Sequence, residues 1–118
     1  DIATKFTSGP NSAEALSNYL AELSNAAEVA QTIHLDQTSL VANTNLVAKY
    51  RMQAGIRLLT CSIRSSMARN ESRGVHKRAD FKDENPELIH HITVDNEGNV
   101  GTLALRKGQK DNWVLAPQ

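Results

Sequence analysis

The residues of this 118-residue chain with the most obvious capacity for chemistry sit in one stretch, Arg69-Asn-Glu-Ser-Arg-Gly-Val-His-Lys-Arg-Ala-Asp-Phe81. Glu71 and Arg73 are two apart, as are Arg78 and Asp80, so on extended backbone each pair shares a side. Gly74 between them permits a sharp turn. Interleaved acids and arginines suit bidentate guanidinium–carboxylate networks better than a phosphate track, because the acids would repel phosphate. Two readings of Arg69, Glu71, Arg73, His76, Arg78 and Asp80 stay open at this point. One is a local ion-pair network that closes the end of a helix, where Arg69 complements the negative end of the dipole. The other is a docking surface for another domain. A metal site can also be drawn from His76, Asp80 and one of His90 or His91, since imidazole and carboxylate ligate zinc or iron. Its spacing is not diagnostic, and adjacent His90 and His91 would point to opposite faces of a strand.

The common catalytic and cofactor signatures are missing. The chain has no GxGxxG, no GxxxxGK[ST], no GxSxG and no HExxH. Its single cysteine, Cys61, rules out an internal disulfide and a zinc cluster built on cysteines, and is compatible with a reducing compartment.

Thirteen Lys and Arg balance thirteen Asp and Glu, which disfavours a general affinity for nucleic acid or anionic membrane. The zero is made of unlike parts. Residues 1–44 carry one base against five acids, residues 45–82 nine bases against two acids, and residues 83–118 three bases against six acids. With 40% apolar and 22% charged residues the composition is that of a folded domain, and the length suits one. No apolar run is long enough to span a membrane.

The elements that must position the charged stretch follow from periodicity. Residues 1–11, with no initiator Met and a Gly9-Pro10 pair, read as a linker, cut from a longer polypeptide or left by processing. A helix is predicted over 12–33, with Asn11 or Ser12 as N-cap and Glu14 completing a capping box. Its apolar face is Leu16, Tyr19, Leu20, Leu23, Ala26, Ala27, Ala30 and Ile33. A connection anchored by Leu40 and Val41 leads to a second helix over 45–70. Its seam is Ala48, Met52, Ile56, Leu59, Ile63 and Met67, facing the first helix antiparallel, with Gly55 marking a close helix approach. Tyr50, Arg57 and Arg64 repeat every seven residues on another face, read as solvated. Residues 71–88 form a charged loop with few anchors, 89–105 a hairpin turning at Gly98, and 106–118 a tail in which Trp113-Val-Leu pairs or packs. The predicted fold class is mainly α: a small antiparallel bundle of two long helices, with or without a short third, and a C-terminal β-hairpin.

The charged stretch resembles the signature Arg-x-Glu-Ser-Arg-Gly-x-His, continued as x-Arg-x-Asp and an aromatic, of the flavoprotein subunits of the succinate dehydrogenase and fumarate reductase family, with L-aspartate oxidase as a relative. Arg69, Glu71, Ser72, Arg73, Gly74, His76, Arg78, Asp80 and Phe81 carry it, nine of thirteen positions. The linker-like Thr38–Leu46 and the strand His91-Ile-Thr93 are similar to their counterparts in the family. Asn70 and Glu87-Leu88 depart from the family's common Lys and Trp. The resemblance implies a helical C-terminal domain that packs against the FAD-binding and capping domains of the same polypeptide, with an iron-sulfur subunit as a further partner, at the cytoplasmic face of a membrane-bound complex or in the cytoplasm. It also implies that FAD, the dicarboxylate and the proton-transferring arginine belong to upstream segments. No residue here is therefore assigned as catalytic, cofactor-binding or metal-binding, and the chain alone is expected to be inactive. The competing expectations are a free-standing interaction module using the basic 45–82 segment, and the small metal enzyme based on His76, Asp80 and His91.

Overall fold

The computed structural model describes residues 1–33, 39, 41, 43–110 and 112–115. Three helices and a three-stranded antiparallel sheet follow one another: α1 (Ile2–Thr7), α2 (Ala13–Thr32), α3 (Thr44–Ala68), a 3-10 turn at Pro86–Leu88, β1 (His90–Val94), β2 (Val100–Lys107) and β3 (Trp113–Leu115).

The two long helices form where the periodicity places them. Ser12 caps α2, its hydroxyl accepting from the Ala15 N–H, and the Asn43 side chain caps α3 by accepting from Leu46. The helices run antiparallel. Lys49 near the start of α3 donates to the Ile33 carbonyl at the end of α2, while the far end of α3 meets the beginning of α2 through the charged stretch. Leu16, Leu23 and Ile63 form the buried core, with Tyr19, Leu20, Ile56, Leu59 and Met67 packed around them. Only the second half of the α3 seam reaches that core. Met52 is 39% exposed, because α2 beyond Leu23 presents alanines and has little side-chain mass to bury it.

Several expectations need correction. Residues 1–11 are not merely a linker. Asp1 caps the short helix α1, and Ile2 and Phe6, four apart on one helical face, pack on the core. Asn11 is not the N-cap of α2; its side-chain amide donates to the Phe6 and Gly9 carbonyls and fixes the corner between α1 and α2. Gly55 marks no close helix approach, since a Cβ there would point into open space. Val41 is 83% exposed and anchors nothing, and Leu40 lies outside the described residues.

β1 and β2 pair in register from His90 opposite Ala104 to Val94 opposite Val100, and β3 extends the sheet beyond β2. The turn at Asp95–Asn99 requires Gly98 for its φ of +88°, and a side chain there would also displace the Arg64 guanidinium, which donates to the Gly98 carbonyl at 2.8 Å. The stripe of Tyr50, Arg57 and Arg64 is thus not wholly solvated, because Arg64 ties α3 to the sheet.

The molecule is extended, 57 × 32 × 22 Å, with a radius of gyration of 18.2 Å where a compact chain of this length would have about 13 to 14 Å. It exposes 8625 Å², roughly 2,300 Å² more than the ~6,300 Å² usual for a 12.9 kDa monomer.

Candidate functional site

The charged stretch leaves the end of α3 and folds under both long helices. The chain turns back at Gly74, whose φ is +57°, and Arg73 and His76 exchange backbone hydrogen bonds of 2.9 and 3.0 Å across the turn. The returning limb pairs with the N-terminal segment. Asn11 donates to the Lys77 carbonyl at 3.1 Å and accepts from Ala79 at 3.0 Å, a parallel bridge that joins the corner before α2 to this loop.

Two ion-pair centres result. Glu71 is fully buried, and three groups converge on its carboxylate: the Arg69 guanidinium, the Arg73 guanidinium through Nη2 at 2.9 Å and Nε at 3.1 Å, and the Asn85 N–H at 2.8 Å. Arg69 also donates to the Leu88 and His90 carbonyls, and Arg73 to the Asn85 carbonyl and to Glu84. The loop and the entry to β1 are therefore sewn to a single carboxylate. The hydrogen-bonded Arg73 guanidinium holds the Glu71 carboxyl down to about 2, against burial, which pushes the other way. Glu71 reciprocally raises Arg73.

The second centre joins the helices. Arg78, 3% exposed, makes a bidentate pair with Asp80, Nε to Oδ1 at 2.8 Å and Nη2 to Oδ2 at 2.7 Å. Its remaining nitrogen, Nη1, donates to the Ser66, Met67 and Arg69 carbonyls, which are left over at the end of α3. Asp80 in turn accepts from the Ala13 N–H at the first turn of α2. A cation thus closes the negative end of one helix, an anion meets the positive end of the other, and the two neutralise each other. Arg78 holds the Asp80 carboxyl well below the usual carboxylate range. Phe81 covers the guanidinium, its ring centroid 5.1 Å away.

Ser72 and Asn85 are the participants that the spacing argument missed. The Ser72 hydroxyl accepts from the Arg78 N–H at 2.8 Å and donates to the Phe81 carbonyl at 2.6 Å, and Asn85 supplies both the backbone donor to Glu71 and the cap of the 3-10 turn. The signal for Ser72 was its place inside the signature. Asn85 falls in the stretch read as a charged loop, where nothing local announces a partner fourteen residues away.

The structure does not bring His76, Asp80 and His91 together as ligands. The His76 ring faces the Arg69 carbonyl, Asp80 is engaged by Arg78, and His91 lies exposed on β1; among the described residues no three of His, Cys, Asp and Glu cluster. Nor do the signature residues suit a flavin dinucleotide, whose pyrophosphate needs free donors, because the Arg69, Arg73 and Arg78 guanidinium groups are engaged by Glu71 and Asp80. The N-termini of α1, α2 and α3 are each capped by the chain's own Asp1, Ser12 and Asn43. Among the described residues no helix is long and apolar enough to cross a membrane.

These features define a helical-hairpin domain with an appended sheet, locked at one end by paired arginines and carboxylates. Comparison with known proteins gives the class a family. The sequence profile described as fumarate reductase flavoprotein C-term matches residues 10–114, and the chain belongs to that family. No curated protein matches. Among solved structures, the chain is similar to a mutant of the Escherichia coli quinol fumarate reductase FrdA, with a TM-score of 0.66 and 25% identity over 77% of this chain. It is also similar to a quinol-fumarate reductase with menaquinol molecules, with a TM-score of 0.64 and the same identity and coverage. It spans only 16% and 17% of the length of those chains.

Proposed function

We propose that this chain is the C-terminal helical domain of an FAD-dependent dicarboxylate oxidoreductase of the succinate dehydrogenase and fumarate reductase type. It packs against the flavin and capping domains and supplies no catalytic group. In such an enzyme the flavin exchanges hydride with the dicarboxylate, and an iron-sulfur subunit at the cytoplasmic face of a membrane complex is the electron partner this reading implies.

The observation that carries the reading is the family signature itself. The family profile that contains it matches residues 10–114, while the signature's charged groups face one another: Glu71 is enclosed by Arg69 and Arg73, and Arg78 by Asp80 and the end of α3. Groups so engaged are poorly placed to bind substrate. They act as structural ion pairs, and the docking role falls to other residues. The free-standing basic module draws less support, because Arg64, Arg69, Arg73 and Arg78 are all committed to partners inside the chain.

The test is to purify the longer polypeptide in which this sequence occurs and record its flavin spectrum and its fumarate-dependent oxidation of a reduced dye. Bound flavin with turnover, and neither from the 118-residue chain, is the expected result. A longer polypeptide without flavin, or turnover by this chain alone, would overturn the reading.

A further inference from the structure

α3 has a second apolar face. Opposite the seam that packs on α2, Val47, Tyr50, Ala54, Leu58 and Cys61 follow one another at steps of three, four, four and three, which places them along one stripe of the helix. Val47 is 48% exposed, Tyr50 63% and Leu58 70%. Tyr50, Ala54, Leu58 and Cys61 of the stripe form one wall of an open groove of about 840 Å³, whose other walls are Ala27, Ala30 and Gln31 of α2 and the turn at Asp95–Gly98.

The charges around the stripe specify what could cover it. α3 carries Lys49, Arg51, Arg57 and Arg64 and no acid. Lys49 and Arg64 are engaged by backbone carbonyls, whereas Arg51 and Arg57 flank the stripe on its two sides with no hydrogen bond or ion pair to any of the described residues. A second copy of this chain would set eight cations along one contact against only Asp95 and Glu97 of each copy, an excess of like charge that opposes pairing. A neutral apolar surface would leave Arg51 and Arg57 desolvated without compensation. The matching surface is apolar along its centre and acidic at its margins. The surplus exposed area, roughly 2,300 Å², exceeds the ~800 Å² per partner of a stable interface.

We infer that the outward face of α3 is the docking surface of this domain, and that its occupant is an acidic-rimmed apolar surface on the flavin-bearing part of the same polypeptide. The identity of the occupant rests on the function proposed above; the face and its chemistry rest on the stripe and its flanking arginines. The signature loop lies at the other end of the hairpin and stays outside the contact.

Thiol labelling of the intact longer protein decides the matter. In a Cys61→Ser background, Leu58→Cys samples the stripe and Val75→Cys samples the tip of the signature loop, where Val75 is fully exposed. With flavin bound, Leu58→Cys is expected to react at least about tenfold more slowly than Val75→Cys, with equal rates in denaturant. Adding Arg57→Glu should speed reaction at Leu58→Cys about threefold by removing a marginal charge pair. Equal native rates in a flavin-loaded protein would overturn the face while leaving the proposed function intact. Shielding that disappears on dilution as a dimer dissociates would identify a second copy and overturn the occupant. Shielding in a longer protein that holds no flavin would also overturn the occupant, together with the proposed function.

Discussion

The two ends of the helical hairpin are built on opposite principles. Where α3 ends and α2 begins, the polar groups are buried and answered: Glu71, Ser72 and Arg78 are inaccessible, and among the described residues no buried side-chain nitrogen or oxygen lacks a partner. Where α2 ends and α3 begins, the apolar groups are exposed. Val29, Ile33, Val47, Tyr50 and Met52 are all exposed, and Ala30 is the only buried apolar residue that α2 supplies beyond Leu23. The first end is complete by itself. The second has the composition of a surface that another layer covers, and under the docking proposal above stability and recognition are separated along the same pair of helices.

The largest test of that contrast removes the carboxylate on which the closed end converges. Glu71→Ala would leave two guanidinium groups and the Asn85 N–H without their acceptor in a buried site, and is expected to cost about 3–5 kcal/mol in chemical denaturation. A loss under about 1 kcal/mol would mean that the network is ornamental and that the two ends do not differ in kind.

Arg78→Lys comes next. A lysine keeps the charge but cannot hold Asp80 with two bonds while also reaching three carbonyls at the end of α3. The expected loss is about 2–3 kcal/mol, with fraying confined to the last turn of α3 in amide exchange. Fraying spread evenly along the helix would contradict the capping role.

Acid should open the same end. The Glu71 carboxyl lies near 2 in the folded chain against an ordinary 4.5, so the stabilisation it confers is complete above about pH 4.5 and is lost as pH falls through about 2. Asp80 is depressed in the same direction by Arg78, so its contribution also fades on the acid side. Denaturation midpoints measured between pH 5 and pH 2 should fall steeply in the native chain and less steeply in Glu71→Gln. Parallel slopes would remove Glu71 as the cause.

How far this contrast could be read from sequence depends on the range of the interactions. The long helices and the sheet were legible because their signals are local: apolar steps of three and four residues in Leu16–Leu23 and Ile56–Met67, and an Asp-Asn-Glu-Gly-Asn turn between β-favouring runs. The pairing partners two residues apart, Glu71 with Arg73 and Arg78 with Asp80, were legible for the same reason. Asp80 reaching Ala13, Asn11 bridging Lys77 and Ala79, and Asn85 donating to Glu71 were not, because each joins residues whose approach only the assembled fold decides. The helix at Ile2–Thr7 was hidden by brevity. Six residues followed by Ser8 and a Gly-Pro pair show less than two turns of periodicity, and what holds them is the packing of Ile2 and Phe6.

The smallest effects sharpen the comparison because their signs differ. Gly74 and Gly55 both lack neighbours within 4 Å of a built Cβ, so space alone predicts the same outcome for alanine at either site. Backbone conformation separates them. Gly74 sits at φ +57° in the turn that returns Arg78 to α3, and Gly74→Ala should destabilise by about 1–2 kcal/mol because an L side chain resists that region. Gly55 lies in the exposed interior of α3 with ordinary helical geometry, and Gly55→Ala should stabilise by up to about 1 kcal/mol through helix propensity. Urea midpoints of the two variants moving in opposite directions would show a closed end held by a strained turn and an open end whose helix is short of intrinsic stability. A loss at Gly55→Ala would instead mean that the open end folds around a close contact at that glycine, and the division between the two ends would have to be redrawn.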